Sequence, residues 1–191
     1  MFLIVGLGNP GKKYEKTRHN IGSRLIDELR SSLTLRSARP IDELESLDLG
    51  NVVLAKPTTF MNESGKAVKG LVKSHKLESD NLIIIHDDLD LPLGEIRIVK
   101  NRGAAGHKGV ESIIKELKTK DFIRFRVGIC PQVGKPKNPE NFVLQKFNKA
   151  EEKIVKEIIK KTAVAIEFFL KEGVERTMNQ FNESSIHFTS Q

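Results

Sequence analysis

The chain has 191 residues, enough for one domain with its own core, and its 38% apolar content is ordinary for a globular protein. No apolar run approaches the roughly 20 residues that span a bilayer, and Met1-Phe2-Leu3-Ile4-Val5 opens on a strand with no basic stretch or cleavage signal, so neither a membrane span nor a signal peptide is expected and a cytoplasmic location is read. One cysteine, Cys130, excludes an internal disulfide and suits a reducing compartment, while the net charge of +7 points to an anionic partner.

In chain order, Phe2–Val5 is an apolar strand followed by the turn Gly6-Leu7-Gly8-Asn9-Pro10-Gly11. Residues 21 to 33 follow as a helix with Leu25, Ile26 and Leu29 on one face. Residues 52–55 form a short strand stopped by Lys56-Pro57. A helix over about 66–75 carries Val68, Leu71 and Val72 as its stripe. Leu82–Ile85 is β-branched and wholly apolar, the pattern of a central strand buried on both faces, and it ends at His86-Asp87-Asp88. Leu91-Pro92-Leu93-Gly94 is a turn before a strand at 95–99. The glycine-rich loop 103–109 feeds a helix over 110–117. A strand at 122–130 places Phe125, Val127 and Ile129 on one face.

A Pro/Gly/Lys-rich stretch, 131–141, reads as a mobile loop. From about 150 to 172, Ile154, Val155, Ile158, Ile159, Ala165, Ile166 and Phe169 repeat at helical spacing, and Gly173 suits the C-terminal cap. Residues 180–191 are polar and read as a frayed tail. Alternating strands and helices imply an α/β fold in one domain over 1–191.

The excess charge is local. Residues 97–126 hold nine Lys and Arg against three acids, Glu111, Glu116 and Asp121. Such clustering favours a nucleic-acid partner. Trp is absent and Tyr occurs once, which argues against base stacking and for contact with the backbone of a folded RNA.

The first turn matches the GxGxxG dinucleotide pattern superficially. Pro10 removes a backbone donor from the loop, Lys12 to Asn20 has no apolar stripe, and Asp27 and Glu28 fall on a helix rather than at a strand end. A nicotinamide-dependent oxidoreductase is therefore set aside.

Polar side chains gather instead at strand ends: Asn9 after the first, Asn62 past the second, Asp87 after the third, with His19 on the return from the first. If these strands are parallel neighbours, their C-terminal ends make one cleft. Asp87 would orient His19, which would take a proton from water. The two carboxamides would donate to a carbonyl oxygen as charge develops, each worth about 3 kcal/mol. No Ser or Cys elbow is present, so direct attack of water on an acyl carbon is favoured. His75, His86, His107 and His187 lack metal-ligand spacing, and no metal is expected.

These residues resemble the bacterial peptidyl-tRNA hydrolases. The resemblance is carried by Gly6 to Gly11, Tyr14, Thr17-Arg18-His19-Asn20, the run from Lys56 to Asn62, the run from His86 to Pro92, Gly106-His107-Lys108-Gly109 and Phe142-Val143-Leu144, in order across nearly the whole chain. It implies a monomeric three-layer α/β domain, a mixed twisted β-sheet flanked by helices, with no cofactor. It implies cleavage of the ester between a peptide and the terminal ribose of tRNA, which recycles tRNA. His19 then corresponds to the base, Asp87 to its orienting partner, and Asn9 and Asn62 to groups that position substrate. Tyr14, Phe60 and Met61 correspond to cleft-lining residues, and Arg97, Lys108 and Arg126 to RNA contacts.

Two features depart from the family pattern. Lys108 stands where an Asn is usual, and residues 36–51 are shorter and more acidic than the corresponding segment. Non-enzymatic RNA-binding relatives of the chloroplast splicing type share the fold, but such a protein would not need His19, Asp87, Asn9 and Asn62 together.

Overall fold

Four apolar runs form the parallel centre of one sheet, and two more polar strands close its edges. The computed structural model describes residues 1–32, 44–48 and 51–182. The strands are β1 (Phe2–Gly6), β2 (Leu44–Asp48), β3 (Val52–Pro57), β4 (Leu82–Pro92), β5 (Ile96–Lys100) and β6 (Ile123–Cys130). Their order is β2-β3-β1-β4-β6-β5. β3, β1, β4 and β6 run parallel, while β2 and β5 pair antiparallel at the edges.

Helices cover both faces, as a parallel centre requires. α2 (Ser64–Ser74) and α3 (Lys108–Leu117) cover one face, packing Val68, Leu71, Val110 and Ile113 on Val5, Val53 and Ile84. α1 (Ile21–Ser32), α5 (Lys149–Glu172) and α6 (Val174–Asn182) cover the other, packing Leu25, Ile158, Ile166 and Phe169 on Ile4, Ile85 and Phe125. The expected three-layer α/β architecture with a mixed sheet is what is found.

Three segments depart from the sequence expectations. β4 continues past the apolar run to Pro92, because β6 goes on pairing with it at Asp87↔Val127 and Asp88↔Gly128. Asp87 therefore lies in a strand, which fixes its direction more firmly than a loop would. The stretch expected as a loop over 131–141 contains, from Pro139, the helix α4 (Pro139–Val143). Proline suits the first turn, and Asn138 caps it by accepting from Asn141 N. The tail expected to fray from 180 is helical through Asn182, since Phe181 is buried against the core; residues 183–191 lie outside the described residues, as does most of the acidic segment 36–51.

The sheet order reverses between β1 and β4: the chain leaves β1 for β3 and then crosses back to β4. In an α/β sheet that reversal opens a crevice at the strand C-termini. Two glycines let α1 close over it. A Cβ on Gly6 would sit 2.1 Å from Gly22 O, and one on Gly22 would sit 2.3 Å from Ile85 O. The first glycine of the GxGxxG pattern thus serves helix packing, not a pyrophosphate.

Candidate active site

His19 lies in a single 3₁₀ turn, Arg18–Asn20, that runs directly into α1. The turn is fixed on both sides. Asn20 accepts from Asn9 N at 2.9 Å and donates to Asn9 O at 2.8 Å, tying it to the loop after β1. Arg18 N donates to Gln145 O at 3.0 Å, and its Nη2 donates to both carboxylate oxygens of Glu151 at 2.7 and 2.9 Å, with the guanidinium over the rings of Phe142 and Phe147. A buried cation held this way cannot drift, and His19 is the next residue.

Asp87 Oδ1 is 2.8 Å from His19 Nδ1 and 3.0 Å from His107 Nε2. The tautomers follow from the bonds. His107 Nδ1 accepts from Val110 N as the N-terminal cap of α3, so its Nε2 carries the proton and donates to Asp87. Ionised Asp87 also accepts from His19 Nδ1, which leaves the His19 Nε2 lone pair free. Burial disfavours the His19 cation, but the charge and hydrogen bond of Asp87 outweigh this and raise its pKa above the ordinary histidine value. For Asp87, burial alone would push the pKa up, yet the two imidazoles pull it well below the usual carboxylate range.

These three side chains are also, among the described residues, the group with donor atoms close enough to suggest a metal ion. Their protons already point at Asp87, and the cap on α3 fixes His107 with its N–H outward. The set is therefore complete as a hydrogen-bonded base.

His19, Asp87 and His107 line a cavity of about 500 Å3. Lys108, exposed and 3.8 Å from Glu111, also lines it, as do Lys137, Pro139 and Val143. Asp90, another lining residue, pairs with Lys135. Asn9 borders a smaller recess of about 200 Å3 on the other side of the His19 turn, with Asn20 and Ser23. Its Oδ1 accepts from Met61 N at 2.9 Å, and its Nδ2 protons have no partner among the described residues. Asn62 is the next residue after Met61 and is exposed.

Tyr14 and Phe60 meet edge to face at 6.5 Å, joining the loops after β1 and β3, with Phe60 on the surface. Met61 is only 4% exposed, so its side chain belongs to the core rather than to an open surface.

Arg97 is exposed on β5, directly opposite Arg126 in register. Arg126 is half-buried and donates to Asp88. Arg124, two residues before it, is almost wholly buried; burial and the neighbouring Arg126 charge lower its pKa to about 10, against the pull of Asp88.

Sequence reasoning brought His19 and Asp87 together and missed His107 and Asn20. His107 carried a signal, as a glycine-flanked histidine before a helix, but its 20-residue separation from Asp87 hid their contact.

The peptidyl-tRNA hydrolase family matches residues 3–189. The chain is similar to a peptidyl-tRNA hydrolase of Aquifex aeolicus, at 42% identity over 96% of this chain and 97% of that one. It is similar at 43% identity to one of Shouchella clausii, over 95% of this chain and all of that one. Its fold matches a crystal structure of peptidyl-tRNA hydrolase from Acinetobacter baumannii at a TM-score of 0.85, with 31% identity over 97% of this chain and 96% of that one. These relatives carry the name of an enzyme, and the splicing-type alternative finds no support among them. With the site geometry, these matches establish that the chain belongs to the peptidyl-tRNA hydrolase family.

Proposed function

We propose that the protein hydrolyses the ester between a peptide and the terminal ribose of tRNA, using water activated by His19. The observation that carries this is the pair His19 Nδ1 to Asp87 Oδ1 at 2.8 Å, with the remaining imidazole nitrogen free at the cleft. Water bound there gives its proton to His19 Nε2 as its oxygen attacks the acyl carbon. Asp87 stabilises the imidazolium that forms. On collapse, the ester C–O bond breaks, the ribose oxygen takes the proton back, and peptide and tRNA leave.

Asn9 is suited to donate to the substrate, because Met61 N engages its carbonyl oxygen and leaves the amide outward. Asn62 holds the peptide beside it, with Tyr14 and Phe60 as apolar support. Arg97 and Lys108, both exposed, take tRNA phosphates, whereas Arg126 would first have to leave Asp88. The protein acts as a cytoplasmic monomer with no cofactor, and no described helix is long and apolar enough to cross a membrane.

The test is release of N-acyl-amino acid from N-acyl-aminoacyl-tRNA by the purified protein, with His19→Ala beside it. The variant should lose about 10²–10⁴ in kcat and keep its affinity for tRNA. Binding of tRNA without hydrolysis by the wild type would overturn the reading.

A further inference from the structure

One buried titratable group beneath the site takes no part in the chemistry above. His86 is 1% exposed, on the face of β4 opposite the adjoining Ile85, with its ring against His107. The rings of His86 and His107 meet edge to face with centroids 4.6 Å apart. His86 Nδ1 lies 2.6 Å from Asp87 O, and a carbonyl only accepts, so Nδ1 carries the proton. Nε2 is then a buried lone pair with no hydrogen-bond partner. An apolar side chain would fill this place without leaving a polar atom unpaired, so packing alone does not account for an imidazole here.

We infer that His86 is a positioning residue: its ring buttresses His107 while its N–H holds the Asp87 backbone, so that the Asp87 carboxylate is shared between two imidazole donors and the basicity of His19 is set below what an unshared carboxylate would give. The charged and titratable groups that face His86 are consistent with this role. His107 lies against it, Asp87 adjoins it, and Arg124 and Arg126 approach from β6, with Arg126 its partner in register. Burial first, and then the neighbouring His107 and the Arg124 cation, hold the His86 pKa well below the ordinary value. A neutral ring can support His107 without adding a charge that competes for the Asp87 carboxylate.

This inference rests on the hydrolytic reading for its kinetic arm only. Without the buttress His107 is held only by its cap on α3, and as its bond to Asp87 loosens, more of that carboxylate's charge acts on His19 and raises its pKa. His86→Leu, which stays apolar but lacks the ring and its N–H, should move the acid limb of the kcat/KM profile to higher pH and leave KM within about twofold, because His86 does not reach the cleft. NMR titration of the His19 imidazole in the same variant should show the same upward shift without any substrate. An unchanged His19 midpoint, with only a lower Tm, would overturn the inference. If His86→Leu does not fold, His86→Gln keeps an amide donor for the Asp87 carbonyl and lacks the ring. An upward shift there supports the buttress, and a wild-type midpoint overturns it. A wild type that fails to hydrolyse would sink the functional reading, while the His19 titration would still decide the role of His86.

Discussion

At the scale of single residues, the site sets activity and stability against each other in pH. The proposed mechanism needs His19 neutral, and Asp87 has raised its pKa above the usual 6.5 or so. The kcat/KM profile should therefore rise with pH to a plateau whose midpoint lies above that value. Stability should run the other way. A histidine whose folded pKa is raised contributes stabilisation that is complete below its unfolded pKa and is lost as pH climbs through the folded one. Thermal melts across pH 5 to 9 should show this decline in the wild type and a flatter course in His19→Ala; parallel slopes would show that the His19–Asp87 pair does not couple folding to protons. Asp87 was legible in the sequence because a polar residue ending an apolar strand stands out against it, and His19 because it lies on the polar return from the first strand. His86 was not, since a histidine inside a strand carries no periodic mark of the ring against it, and Asn20 was hidden because its bonds run to the Asn9 backbone rather than to a motif.

At the scale of elements, the start of α5 is joined to the site by one carboxylate with two tasks. Glu151 closes the capping box by accepting from Asn148 N, and the same group accepts from Arg18 Nη2. Losing a cap alone costs about 1 kcal/mol. Losing the partner of a buried cation costs about 3–5 kcal/mol, and the Arg18 side chain is only 6% exposed. Glu151→Ala should therefore destabilise by about 3 kcal/mol or more in urea unfolding, far above a lost cap, and a loss near 1 kcal/mol would show that Arg18 finds other partners. The central strands and α5 were readable because burial on both faces or a long stripe leaves a strong apolar signal. β2 was not, because an edge strand written Leu-Glu-Ser-Leu-Asp depends on β3 for its pairing. α6 escaped for the same kind of reason: its few anchors, Val174, Met178 and Phe181, are spaced one turn apart in a polar sequence, and Asn182 fixes its end by bonding both the N–H and the carbonyl of Ile98 on the edge strand.

At the scale of the whole molecule, the charge excess resolves into groups with different tasks. Of the nine bases between 97 and 126, Arg124 is buried, Arg126 is committed to Asp88, and Lys100 is paired with Asp80 and Asp121, whereas Arg97, Arg102, Lys115, Lys118 and Lys120 face solvent, as does Lys108 beside Glu111. Sequence counting treated them alike, because it has no access to burial or to partners brought in from other strands. Only an exposed cation can release counterions from a phosphate without first breaking an internal pair. Affinity for tRNA should fall steeply with salt, and each phosphate contact should contribute roughly 0.7–0.9 to the slope of log K against log salt. Arg97→Ala, which touches neither the core nor His19, should lower that slope by about 1 and leave kcat unchanged. Fluorescence anisotropy with labelled tRNA over a salt series measures it, and a slope equal to the wild type's would place the RNA away from the β5 edge.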